Sequence, residues 1–210
     1  MKPVIIVGFG GFGREIYGLA RDCGRDIVGF LDDNAEVGLH GRYQVLGSVD
    51  TWTSHLDSEF VVAIGNPRIK KSIVTRMETQ GTPNFATLVH PSVQMDRSSV
   101  SIGRGTVICA GCVGTVDFTL GHHVIVNIKC TLAHDDIIGD FVTIAPLVAV
   151  SGNVTIEDGA EIGTAACIRQ GVKIGRGAML GMGGVLVKDI EPNALCVGSP
   201  AKPIKELSAF

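Results

Sequence analysis

Apolar positions follow two different rules along this chain, and the change comes near residue 90. Before it they form short unbroken runs with helical stretches between them. Val4–Val7 is such a run, followed by Gly8, Phe9, Gly10, Gly11, Phe12 and Gly13 and then a helical stretch over about residues 14–23. Ile27–Leu31 is a second run and ends on Asp32 and Asp33; residues 60–64 are a third and end on Gly65, Asn66 and Pro67. Proline directly after Asn66 suits the first turn of a helix, which the pattern continues through residue 79. Buried strands joined by helices predict a small parallel sheet, an α/β Rossmann-like half domain over residues 1–86.

In a second domain over residues 87–210 the rule becomes a hexapeptide, unbroken over residues 100–191. Every sixth position from Ile102 to Leu186 is aliphatic in fourteen of fifteen cases, Gly114 being the exception. Four places later the residue is Thr, Cys, Val, Ala or Gly in twelve of fifteen; Phe118, Asp136 and Ile190 break that column. One aliphatic side chain per short strand, with a small residue at each corner, predicts an all-β parallel β-helix. The pattern resembles the left-handed β-helix of hexapeptide-repeat acyltransferases, with three hexads per coil and no inserted loop. Residues eighteen apart then lie one above another, about 4.8 Å apart.

Composition fits a core of small aliphatic side chains and many turns: 28 glycines, with aromatics at 5%. Apolar residues make up 45% and charged ones 19%, so a sizeable core is expected and disorder is not. Eighteen basic against 21 acidic residues give a net charge of −3, and no long basic run points to nucleic acid. The apolar N-terminal run is broken by glycines and by Arg14 and Glu15, so neither a signal peptide nor a membrane span is expected. The six cysteines are accordingly read as reduced thiols in a cytoplasm. Cys109 and Cys112 form a CxxC without a second pair; Cys112 and Cys130, eighteen apart in the small column, read instead as stacked core residues. His90, His122, His123 and His134 lack the spacing of a β-helix zinc site, and no metal is expected.

Two places carry candidate chemistry. Gly8, Gly10 and Gly13 satisfy GxGxxG between a strand and a helix, where a backbone can approach a phosphate. Three readings stay open there: a redox dinucleotide with Asp32 on its ribose, a tight turn without ligand, or a nucleotide that is part of the substrate. In the repeat, His134 falls at a corner directly above or below Gly152, with Val116 and Gln170 continuing the file. An imidazole there can serve as general base, with Asp135 holding its tautomer. The N–H of Gly152 can polarise a thioester carbonyl and hold its oxyanion. His122 and His123 sit at corner places too and are read as structural.

Taken in order, Gly8–Gly13 with Asp32 and Asp33, then Ile64, Gly65, Asn66, Pro67 and Arg68, then His90, Pro91, Ser92 and Val93 precede the coils. Within and after the coils come Asn127 with His134 and Asp135, then Ser151, Gly152 and Asn153, then Val197, Gly198, Ser199, Pro200, Ala201 and Lys202. Together these resemble the nucleotide-sugar acetyltransferases of the PglD and NeuD type across nearly the whole chain. The resemblance implies an acetyl-CoA-dependent N-acetyltransferase acting on a UDP-linked 4-amino-4,6-dideoxy sugar of the bacillosamine type. It implies a homotrimer with the acetyl donor between neighbouring β-helices and the nucleotide on the N-terminal domain. Carried over by position, Gly10, Phe12, Asp32, Asp33, Asn66 and Arg68 would surround the nucleotide. His134 would be the base, Asp135 its partner and Asn127 a sugar-side neighbour. Gly152 would face the acetyl carbonyl, Gly181 would line the pantetheine, and Lys202 in a terminal loop would meet CoA phosphates. Many relatives have a histidine in place of Phe12, and PglD-like members have one in place of Thr143. A GDP- or dTDP-amino sugar, an O-acetyltransferase acting on sialic acid, and a non-catalytic β-helix scaffold are the alternatives.

Overall fold

A computed structural model describes all 210 residues and divides into two compact units, Met1–Leu88 and Val89–Phe210. The division comes two residues beyond the 86/87 boundary read from sequence.

In the first unit, strand β1 (Val4–Val7) lies between β2 (Ile27–Leu31) and β5 (Glu59–Val62), all parallel. All four residues of β1 are fully buried, which is why the run carries no polar position. Helix α1 (Gly11–Asp22) buries Gly13, Ile16, Leu19 and Ala20, the spacing of one helical face. Helix α2 (Pro67–Gln80) starts where the proline places it, and the Asn66 Oδ1 caps it by accepting from the N–H groups of Arg68 at 3.0 Å and Ile69 at 3.1 Å. The sheet is mixed rather than wholly parallel. A hairpin of β3 (Gly38–His40) and β4 (Tyr43–Gly47), absent from the sequence reading, completes the order β3-β4-β2-β1-β5. Its outer strand has three residues and exposes Leu39, too short and irregular a pattern to register as a strand.

The second unit is the left-handed parallel β-helix that the hexapeptide period predicts. Two-residue strands recur every six residues from Ser101–Ile102 to Val185–Leu186 and stack into three parallel faces. Each strand pairs with those eighteen residues away, as Thr119 does with Ser101 and Ile137. The aliphatic column forms a single continuous core from Ile108 to Leu186. Two exceptions explain each other. A Cβ on Gly114 would lie 2.6 Å from the ring of Phe118, so the large residue in the small column fills the gap left in the aliphatic one. From Gly105 to Gly183 the third residue after each position of the aliphatic column adopts a left-handed conformation, at glycines such as Gly105 but also at Asp117, Asp135 and Asn153. The expected terminal loop is a hairpin, Ala194–Gly198 with Ala201–Glu206, paired to the last coils through Met179 and Leu195.

Candidate active site

The ladder between coils brings His134 onto Gly152. A Cβ added to Gly152 would lie 2.5 Å from the His134 Nε2 and 2.6 Å from its Cε1, so only glycine lets the imidazole edge rest there. The opposite nitrogen, Nδ1, is 2.8 Å from the Asp135 Oδ2. With Nδ1 carrying the proton toward that carboxylate, Nε2 is the free lone pair. Both side chains are open to solvent, 51% exposed for His134 and 61% for Asp135. Beneath the ring, the Ser151 N–H donates to Ile168 O, that of Asn153 to His134 O and that of Val154 to the Asp136 Oδ1. The Gly152 N–H is the one donor of that turn that no acceptor of the chain engages. The corner therefore joins a held imidazole, an unengaged N–H and an open approach, which suits proton abstraction beside a developing oxyanion.

The remaining helix residues are distributed more widely. Asn127 stands at the neighbouring corner, across the strand Thr131–Leu132 from His134. Its Oδ1 accepts from the Ile128 N–H at 2.7 Å and its carbonyl from the Cys112 thiol at 3.0 Å, leaving the side-chain amide nitrogen for any ligand. Gly181 lies two coils and a half beyond His134 and is explained by packing: a Cβ would lie 2.7 Å from Val197. Lys202 is exposed on the terminal hairpin opposite Val197. Thr143 is buried. His122 uses Nδ1 to accept the Arg104 N–H at 3.1 Å, and buried His123 stacks on Phe141, both structural uses.

Because β2, β1 and β5 are adjacent and parallel, the three motifs read as nucleotide-binding come together at the carboxyl ends of these strands, one end of the sheet. The glycines of the turn separate by role. Gly8 has φ +107°, and a Cβ on Gly13 would lie 2.0 Å from Gly8 O, so both are demanded by the chain. Gly10 caps α1 with open space around its Cα, which leaves room for a ligand. Phe12 lies half-buried in the first turn of α1. The acids are more occupied than the sequence suggests. Asp32 accepts from the Phe9 N–H at 2.7 Å, the Asn34 N–H at 2.8 Å and the Ala35 N–H at 3.1 Å. Asp33 accepts from Val49 N–H at 2.9 Å and from the Arg76 guanidinium at 2.6 Å. Burial disfavours its ionised form, but these hydrogen bonds and the Arg76 charge outweigh that and hold the carboxyl below its usual value. Arg68 lies half-buried in the first turn of α2. What the sequence reading missed is an aromatic cluster beside this end of the sheet. Phe30 and Tyr43 touch each other and both Phe9 and Tyr17, with His40 against Phe9 and Arg42 over Tyr43. Its members come from four separate elements, and no spacing in the sequence ties them together.

Residues 3–77 match the family model described as the PglD N-terminal domain. The chain is 37% identical over 116 residues to UDP-N-acetylbacillosamine N-acetyltransferase of Bacillus subtilis, a stretch spanning 52% of each protein. It is 33% identical over 149 residues to GDP-perosamine N-acetyltransferase of Escherichia coli O157:H7, covering 67% of this chain and 66% of that one. The matched stretches thus span about half and about two thirds of those relatives. The acetyltransferase domain of PglB from Neisseria gonorrhoeae FA1090, solved in complex with acetyl coenzyme A, superposes with a TM-score of 0.89 at 34% identity. That match covers 97% of this chain and 99% of the other.

Proposed function

The chain belongs to the PglD-type nucleotide-sugar acetyltransferase family, and on that premise we propose that it transfers acetyl from acetyl-CoA to the amino group of a nucleotide-linked amino sugar. The observation that carries this reading is the His134 corner, where an imidazole braced by Asp135 overlies the unengaged N–H of Gly152. The sugar amine attacks the thioester carbonyl carbon while His134 Nε2 takes the amine proton. The carbonyl oxygen becomes an oxyanion held by the Gly152 N–H. Collapse breaks the carbon–sulfur bond, and the imidazolium returns its proton to the departing CoA sulfur. Asp135 keeps Nδ1–H in place and steadies the imidazolium. No covalent enzyme intermediate and no metal are required. The Asn127 amide is assigned to the sugar side, Gly152 and Gly181 to the donor groove, and Lys202 to a CoA phosphate.

The N-terminal unit holds the nucleotide, with Gly10 giving the backbone room beside a phosphate. Phe12 and Arg68 are assigned to its surroundings. Asp32, Asp33 and Asn66 shape the loops around it, given the backbone bonds each already makes. A UDP-linked 4-amino-4,6-dideoxy sugar is the first choice of acceptor, after the Bacillus subtilis relative. A GDP-linked amino sugar is the second, because the Escherichia coli relative is a GDP-perosamine N-acetyltransferase. The assembly is a homotrimer with the donor groove shared between copies.

CoA release measured with UDP-, GDP- and dTDP-amino sugars tests the acceptor, and His134→Ala tests the base. The variant should keep its circular dichroism and acetyl-CoA affinity and lose roughly 10²–10⁴-fold in kcat. Retained turnover would remove His134 from the mechanism.

A further inference from the structure

Asp136 breaks the small-residue column, and nothing in the mechanism above uses it. The ladder between coils shows what it does. From Gly103 to Arg169, the N–H that follows each position of the aliphatic column donates to the carbonyl of that column in the next coil, as Asn127 does to Ile144 and Ala145 to Ile162, both at 2.9 Å. Ala133 is the exception. Its N–H donates to the Asp136 Oδ2 at 2.9 Å, and pairing of its strand with the next coil stops at Thr131 and Ala149. The other oxygen, Oδ1, accepts from the Val154 N–H at 3.0 Å. One fully buried carboxylate thus joins the residue before His134 to the residue two after Gly152. Thr106 occupies the same place at another corner and makes only the bond between coils, its Oγ1 accepting from the Val124 N–H at 3.1 Å. Its hydroxyl then donates to Gly121 O at 2.8 Å, away from the start of its own corner.

We infer that Asp136 is a positioning residue: its carboxylate draws Ala133 off the ladder and ties the His134 corner to the Gly152 turn, setting the angle at which the imidazole meets the acetyl carbonyl. The inference rests on His134 being the base. Burial pushes the Asp136 carboxyl up to about 6, against the pull of the Val154 and Ala133 N–H groups and of His134, with Asp135 adding to the rise. Near neutrality it is ionised, and both oxygens accept.

Asp136→Val and Asp136→Thr both fit the column, and threonine keeps an acceptor for Val154; neither accepts from Ala133. In both, kcat should fall about 10–100-fold, the cost of a small misplacement of a reacting group, with KM for acetyl-CoA and for the nucleotide sugar within about twofold of wild type. The unfolding temperature should not fall. Unchanged kcat with a lowered unfolding temperature, or loss of folding in both variants, assigns Asp136 to stability alone and overturns the inference. His134→Ala run in parallel separates the two readings. If it is inactive while Asp136→Thr is fully active, only the inference falls; if it is itself active, the base assignment and the inference fall together.

Discussion

His134 and Asp32 each stand just beyond a strand, yet the two units hold them differently. The His134 ring bonds only to Asp135, and its carbonyl keeps its place in the coil ladder by accepting from the Asn153 N–H. The Asp32 carboxylate accepts three backbone N–H groups, Asp33 and Asn66 hold further loops, and none of those loops has a repeat beside it to copy. A repetitive ladder supplies structure at nearly every corner, and where it is interrupted at Ala133 one buried carboxylate replaces it, so chemistry can be added there at little cost to the fold. A sheet with single-use connections has its loops held by the very side chains that surround its ligand. Core composition differs in the same sense. Eight of the eleven aromatic residues lie before residue 89, where rings from separate elements fill an irregular interior, while the coils use one aliphatic residue per strand.

The largest effect should come from breaking the column itself. Phe118→Ala should destabilise the β-helix by about 3–5 kcal/mol, because its ring occupies the space beside Gly114 and its loss leaves a cavity there. Gly114→Leu alone should clash, and adding it to Phe118→Ala should recover part of the loss. A double variant no more stable than Phe118→Ala in thermal unfolding would show that the two exceptions are independent.

Removal of a loop-holding acid should have a mixed, smaller effect. Asp32→Ala should cost the N-terminal unit about 1–3 kcal/mol, for three donors lose a charged acceptor. KM for the nucleotide sugar should rise roughly 10-fold or more, with KM for acetyl-CoA unchanged. A rise in KM without any change in unfolding temperature would mean that Asp32 is a ligand contact rather than a loop clamp.

The effects of pH are spread over several units of titration, and the two units should respond with opposite signs. The Asp136 carboxyl is raised in the folded state, so its ionisation costs stability increasingly as pH rises from about 4 through about 6. Asp136→Val should therefore gain on wild type over that window, by on the order of 2 kcal/mol between its ends. The Asp33 carboxyl is lowered, so its contribution is present at neutral pH and is lost as pH falls through the folded value. Asp33→Asn should be the less stable protein at pH 7 by less than about 1 kcal/mol, given solvent screening, and should match wild type in acid. Unfolding curves from pH 3 to 8 read both; parallel slopes for the two variants would contradict the contrast.

The coil period, the core column, β1, β2 and both helices were legible in the sequence because each rests on spacing. His134 over Gly152 was legible too, since a repeat without insertions turns stacking into arithmetic. The β3–β4 hairpin was not, because three residues with an outward leucine carry no period. Gly114 and Phe118 were visible as two exceptions, but their complementarity exists only once the coil is wound and the ring meets the gap.

Partners of the polar side chains belong to the tertiary structure altogether. The proline after Asn66 could be read locally as a helix start, yet Asn66 capping that helix, Asp32 reaching Phe9, Asp33 reaching Arg76 and Asp136 reaching Val154 were seen only in the fold. Apolar burial follows a periodicity because one face of every strand or coil meets the same interior. A carboxylate instead takes whichever N–H or cation the finished fold brings within about 3 Å, and that distance has no counterpart in sequence separation.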